Sequence, residues 1–201
     1  MLKHLPILLI YSRLLIGCLL LYLSFTDIAH YPTIAILLFT LGLLTDIFDG
    51  IIARRLGIST QRLRRLDSSI DQIFFICVAI ATYIQCPVFF QSHLTEIILL
   101  ISFEALTYLI CFIKFKKEVA THAISSKIWT LILFASMIQI MGTCDSGWLF
   151  QIAIYLGLLT RLEIMAIIIT IRTWTNDVPS IYHAVQLRKG LPIKRHKLFN
   201  G

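Results

Sequence analysis

The chain has 201 residues, of which 58% are hydrophobic and only 14% charged. A soluble domain carries roughly 45–50% apolar and about 25% charged residues, so this composition excludes a cytosolic globule, a disordered chain and a disulfide scaffold, and points to a polytopic membrane bundle. The formal net charge of +7, from 18 Lys+Arg against 11 Asp+Glu, would suggest nucleic-acid binding in a soluble protein, but here topology must be tested first.

Six apolar stretches are long enough to cross a bilayer, which takes roughly 17–25 residues. They predict spans over 5–26, 31–56, 66–89, 93–115, 125–142 and 148–172. With the N-terminus inside, the inner set holds Lys3, Arg54, Arg55, Arg62, Arg64, Arg65, Lys114, Lys116, Lys117, Lys127, Arg172, Arg188, Lys189, Lys194, Arg195 and Lys197. The outer loops, near 27–30, 86–93 and 143–147, carry no Lys or Arg, and only Arg13 and Arg161 lie within spans. This asymmetry follows the positive-inside rule and predicts cytoplasmic termini. It also accounts for the basic charge without nucleic acid. The expected architecture is an all-α integral membrane domain over 1–172 with six transmembrane helices. A basic cytoplasmic tail over 173–201 is expected to lie beside anionic lipid.

Leu15-Ile16-Gly17-Cys18 resembles a lipoprotein cleavage box, but Arg13 interrupts the apolar region and LLLYLSF continues it past the cysteine. No cleaved signal is expected. The five cysteines (Cys18, Cys77, Cys86, Cys111 and Cys144) are odd in number, irregularly spaced and mostly in apolar runs. They read as small apolar side chains, with neither a disulfide frame nor a zinc site. No histidine spacing suggests a metal ligand.

An ionisable residue inside a span is a functional hypothesis by default. Span two contains Asp46 and Asp49, followed by Gly50, Ala53 and Arg54; span three opens with Asp67 and Asp71. On a helix, positions 46, 49, 50 and 53 share a face, and so do 67 and 71. Asp46 and Asp49 lie roughly 22 and 27 Å from the outer end of span two, and Asp67 and Asp71 roughly 2–8 Å into span three from the inner side. In a hydrocarbon core of about 30 Å, all four reach one depth near the cytoplasmic face. Four carboxylates cannot crowd there without positive charge. Nearby arginines supply it in one reading; in the other, hard divalent cations take the carboxylates as oxygen ligands. Gly50 and Ala53 remove bulk from the face that carries Asp46 and Asp49, leaving room for a ligand with Arg54 near its phosphates. The residues therefore suggest metal-assisted phosphoryl transfer, against a plainer alternative of polar helix packing.

The stretch Asp46-Ile-Phe-Asp49-Gly50-Ile-Ile-Ala53-Arg54, eight residues, then Leu63-Arg-Arg-Leu-Asp67-Ser-Ser-Ile-Asp71 closely resembles the signature of the CDP-alcohol phosphatidyltransferases, D-x-x-D-G-x-x-A-R followed by G-x-x-x-D-x-x-x-D. One fixed position departs: Leu63 replaces the second glycine, which adds bulk beside the site. Pro6 and Arg13 resemble the family's P-N-x-x-T-x-x-R opening, with Ile7 and Ile10 in place of Asn and Thr. The resemblance implies two Mg2+ or Mn2+ ions held at Asp46, Asp49, Asp67 and Asp71, with Asp71 also the general base. It implies nucleotide contacts at Asp49, Gly50, Ala53, Arg54 and Thr60. The implied reaction joins a CDP-activated lipid to an alcohol and releases CMP, and the implied assembly is a homodimer.

Among other polar residues, Lys127 and Thr130 open span five, and Arg64, Arg65, Lys127 and Arg161 are candidates for the acceptor alcohol. For Lys127 the alternative is snorkelling; for Arg161, a structural pair with a carboxylate; for Arg64 and Arg65, positive-inside anchoring. The expected function is phosphatidyl transfer from CDP-diacylglycerol to a small alcohol, with the active site at the cytoplasmic face of the cell membrane, or of the inner membrane in a bacterium. Two alternatives are a CDP-headgroup:diacylglycerol phosphotransferase of the same family and a non-catalytic divalent-cation transporter. An acidic cluster confined to one side disfavours a transport path.

Overall fold

The computed structural model describes residues 5–26, 28–58, 60–119, 121, 123–176 and 178–192, with the side chains at 54, 61, 62 and 64 not included. Among these residues eight helices follow in order: α1 (Leu5–Ser24), α2 (Tyr31–Arg55), α3 (Gln61–Gln85), α4 (Pro87–Ser92), α5 (Leu94–Phe115), α6 (Ile124–Thr143), α7 (Gly147–Thr170) and α8 (Ile181–Arg188). No strand occurs among the described residues. Six helices are long and apolar enough to cross a membrane: α1, α2, α3, α5, α6 and α7. In lipid every backbone polar group must be satisfied within the chain, which a helix does segment by segment. Hydroxyls follow the same demand, as when Thr40, Thr82 and Thr107 donate to the carbonyls of Ile36, Val78 and Phe103. Such bonds to the preceding turn satisfy the hydroxyl within its own helix.

The chain forms two compact units. The first runs to Phe90 and adds Ile138–Asp145. Here α1 packs along both α2 and α3. Phe74, on α3 and almost fully buried, fills the space left by two glycines. A Cβ at Gly17 would stand 3.1 Å from the Phe74 ring, and one at Gly42 would meet three of its ring atoms. Phe39 stacks on the same ring at 6.0 Å. Phe74 thus holds α1, α2 and α3 at close approach. Each of these three contact points lies one helical turn from an ionisable residue: Gly17 from Arg13, Gly42 from Asp46, Phe74 from Asp71.

Between α2 and α3 the chain turns within five residues. Leu56 N–H donates to Ile52 O, and Ile58 N–H to Ala53 O. Gly57 has φ +67°, the left-handed conformation that ends helices and that glycine adopts without penalty. Thr60 then caps α3, its hydroxyl accepting from Leu63 N–H at 3.2 Å. The cap starts α3 five residues before the expected span, so the polar run Gln61–Arg65 is helical too. At its other end α3 stops before Pro87, which cannot continue the backbone ladder. Gln85 Nε2 donates to Ser24 O at 2.9 Å, which satisfies a carbonyl at the end of α1.

Cys86 and Cys144 form a disulfide, with Cα atoms 5.2 Å apart and a sequence separation of 58. This corrects the reading of all five cysteines as unpaired; Cys18, Cys77 and Cys111 are free. The pair joins the end of α3 to the end of α6, a proximity that sequence spacing cannot express.

The second unit comprises Gln91–Met137 and the chain from Ser146, where α5 and α8 both pack on α7. Its buried centre unites Cys111, Ala123, Ile164, Ile168, Val178 and Ala184. The described residues 173–176 and 178–192 therefore belong to this unit, while the expected tail beyond 192 lies outside the described residues. Lys114 Nζ donates to the carbonyls of Ile168, Ile169 and Ile171 at 3.0, 2.7 and 2.8 Å. A cation there satisfies the orphan carbonyls at the end of α7 and meets the negative end of its dipole.

The Phe74 contact is testable. Gly42→Val places atoms within 3.0 Å of the ring and is expected to destabilise the detergent-solubilised protein by about 1–3 kcal/mol. Adding Phe74→Leu should return part of the lost Tm, whereas Phe74→Leu at an unmodified Gly42 should only lower it.

Candidate active site

The five ionisable residues of the first unit's interior converge. Arg13 lies eight residues into α1, Asp49 and Asp46 lie six and nine residues before the end of α2, and Asp67 and Asp71 lie six and ten residues into α3. At about 1.5 Å per residue these are roughly 9–15 Å from the respective helix ends, so one level holds them all. Arg13, only 1% exposed, reaches into the acidic group. Its Nη1 is 3.1 Å from Asp46 Oδ1 and 3.1 Å from Asp67 Oδ1. The same nitrogen pairs with Asp71 Oδ1, and Nη2 pairs with Asp49 Oδ2. Asp49 is buried, while the side chains of Asp46, Asp67 and Asp71 are 38%, 30% and 28% exposed. The cluster therefore has a closed floor, made by Arg13 and Asp49, and an open side.

Asp46, Asp49 and Asp67 each offer a carboxylate oxygen, and these oxygens all lie within 4.8 Å of one another. Asp71 stands beside that trio, joined to it through the shared Arg13 nitrogen. An all-carboxylate donor set suits hard cations such as Mg2+ and Mn2+. Among the described residues one guanidinium faces four carboxylates, which leaves the group short of positive charge, and Arg13 Nε is buried with no hydrogen-bond partner. The residues fit a divalent-cation site.

Gly50 and Ala53 follow on the same face of α2, and Ala53 is buried. Thr60 is exposed and serves as the α3 cap. The side chains of Arg54 and Arg64 lie outside the described residues; Arg65 is exposed. Leu63 sits half-buried in the first turn of α3.

The family model for the CDP-alcohol phosphatidyltransferases covers residues 3–163. The chain belongs to that family. It is an enzyme of the kind that transfers a phosphatidyl group from a CDP-alcohol to an alcohol acceptor, which sets the transport reading aside. No curated protein and no solved structure matches the chain.

Arg13 is the residue that sequence reasoning underused. In the sequence it stands out as an arginine within a span, as a break in the first apolar run and as part of an imperfect opening motif. The signal was nonetheless present: an arginine inside a span, at the depth of the aspartates, needs a carboxylate partner.

The second unit holds its own polar group. Arg161 pairs with Glu104 and lies over the Trp129 ring at 4.7 Å. Trp129 Nε1 donates to Ala153 O at 2.8 Å, and Gly157 makes room for the indole: a Cβ there would stand 2.7 Å from Nε1. Ser125 donates to Glu163 Oε2 at 2.5 Å. Arg161 thus has a structural partner, and Lys127, two residues after Ser125, is exposed. Breaking one member of such a pair leaves the other charge uncompensated, whereas replacing both with apolar residues is often neutral. Glu104→Met should therefore lower Tm clearly, and Glu104→Met with Arg161→Met should recover most of it. Equal Tm values for the single and double variants would show that the pair carries no stability.

Proposed function

We propose that this enzyme transfers the phosphatidyl group of CDP-diacylglycerol to a small alcohol and releases CMP, working as a homodimer in the membrane. The convergence of the four signature aspartates on one point of the first unit carries this reading. Asp46, Asp49, Asp67 and Asp71 would hold two divalent cations, Mg2+ or Mn2+. When bound, such ions neutralise the diphosphate and the departing CMP. Asp49, Gly50, Ala53, Arg54 and Thr60 would line the nucleotide, with Gly50 and Ala53 leaving the volume it needs beside α2. Asp71 acts as general base: it takes the proton of the acceptor hydroxyl, the alcohol oxygen bonds to the phosphatidyl phosphorus, and the bond from that phosphorus to the CMP oxygen breaks. Its partial exposure, next to the trio of Asp46, Asp49 and Asp67, supports that role. Arg64, Arg65, Lys127 and Arg161 are the candidates for binding the acceptor; for Arg161 the bond to Glu104 competes.

The test is CMP release by the purified protein with CDP-diacylglycerol and a panel of alcohols. Activity should vanish in excess chelator and return with Mn2+ or Mg2+. Asp71→Asn keeps the shape but cannot accept the proton, so turnover should fall about 10²–10⁴-fold while CDP-lipid binding is largely retained. Asp49→Asn should weaken binding as well. Near-normal turnover by Asp71→Asn would refute the base assignment, and full CMP release without metal would refute the metal-assisted reaction.

We further propose that the acidic cluster faces the cytoplasm. Sixteen of the 18 Lys+Arg residues fall on the end of the spans that would be cytoplasmic, in keeping with the positive-inside rule. The disulfide adds an independent argument. Cys86 lies 15 residues beyond Asp71 along α3, about 22 Å away, and disulfides persist in oxidising compartments rather than in the cytosol. In sealed vesicles of cytoplasm-in orientation, an impermeant maleimide should label Cys86 and Cys144 only after an impermeant reductant is added outside. A cysteine placed at Arg65 should stay unlabelled until the membrane is opened; labelling of that site from outside would overturn the orientation.

A further inference from the structure

We propose that Arg13 is the resident counter-cation of the aspartate cluster and that divalent cations load the site by displacing its guanidinium. The proposal rests on the reading of the cluster as the divalent-cation site. Its basis is the position of one atom. Arg13 Nη1 touches Oδ1 of Asp46, Asp67 and Asp71 at once, and Nη2 takes Asp49 Oδ2. A guanidinium NH2 group has two hydrogens, so Nη1 cannot donate to three carboxylates together. It behaves there as a point of positive charge among converging oxygens, which is the environment of a bound cation. Oxygens sharing one hard ion at about 2.0–2.6 Å lie within roughly 5 Å of one another; the oxygens of Asp46, Asp49 and Asp67 lie within 4.8 Å.

Two further observations make this a displaceable occupant rather than a permanent strut. Arg13 Nε is buried and has no acceptor, so the guanidinium is held only through its terminal nitrogens, by the same carboxylates that a metal would take. Asp71 Oδ1, likewise buried, makes the ion pair with Arg13 but no well-formed hydrogen bond. Among the described residues a single positive charge meets the four carboxylates and leaves them under-compensated, and charge burial without compensation is unfavourable in a membrane interior. The arrangement holds the aspartates together when no ion is bound and yields when ions of higher charge arrive. Arg13 therefore trades divalent-cation affinity for stability of the metal-free protein.

The experiment uses the full-length protein in nanodiscs, stripped with chelator and then titrated with Mn2+, with free Mn2+ read by electron paramagnetic resonance and Tm measured at each point. In Arg13→Gln the stripped protein should melt below wild type, yet Mn2+ should bind about 10–1000-fold more tightly, the range over which one neighbouring unit charge moves an ionisation equilibrium. The Tm gain on loading should also exceed that of wild type. Arg13→Lys keeps the charge on a compact ammonium that cannot reach Asp49 and the other three together. It keeps the stripped protein folded and should bind Mn2+ with an affinity between those of wild type and Arg13→Gln. If Arg13 merely supports the helices, both variants lose stability and Mn2+ affinity together. Mn2+ binding by both variants no tighter than by wild type overturns the proposal while leaving the metal site intact. Absence of Mn2+ binding by wild type overturns both it and the reading on which it rests.

Discussion

Four carboxylates held at one level of an apolar bundle need positive charge, and that constraint organises the first unit. Arg13 is the only described cation that meets them, and it comes from α1, while the carboxylates come from α2 and α3. The three helices must therefore lie close enough for one side chain to touch all four acids. Gly17 and Gly42 permit that approach, and Phe74 fixes it. Because each of these packing residues stands one turn from a charged residue on its own helix, the apolar contact sets the distance between the charges. Charge compensation and packing are two consequences of one helix arrangement, and a change in either moves the other.

The short connection between α2 and α3 does the same work in the second direction. Gly57 ends α2 and Thr60 begins α3, so little chain separates the two aspartate pairs and their relative height is set by helix geometry. Gly50 and Ala53 can then present a small-residue face beside the acids, because the register between the two helices is fixed by the turn and by Phe74 rather than by their own side chains.

Much of this was legible from residue types. Lipid demands long apolar helices, so the spans appeared as hydropathy alone, and the aspartates announced themselves as charges in the wrong solvent. Hydropathy reports the apolar stretch and not the helix, which is why α3 begins at Gln61, where Thr60 supplies a cap, five residues before its apolar run. The Cys86–Cys144 bond was illegible because both residues sit at the ends of apolar runs and only tertiary structure brings them together. The folding of Val178 and Ala184 into the second unit's core was hidden for a related reason: a polar, basic segment carries too few apolar residues to signal burial. Arg161 is readable as needing a carboxylate, but its partner is not. The structure gives Glu104 to Arg161 and Glu163 to Ser125.

Leu63, where the family signature has glycine, illustrates what a departure from a motif changes. The residue lies in the first turn of α3, in ordinary helical conformation, so no left-handed backbone is at stake. Its N–H satisfies the Thr60 cap, a bond that any residue except proline can make. What glycine would contribute there is volume. Positions 63, 67 and 71 follow one another at intervals of four along α3, so Leu63 stands one turn before Asp67 on the same stripe. The substitution leaves all four carboxylates and their arginine in place and alters only what can lie alongside them. It acts on the fit of whatever approaches the cluster past the start of α3, and not on the charge that the cluster carries.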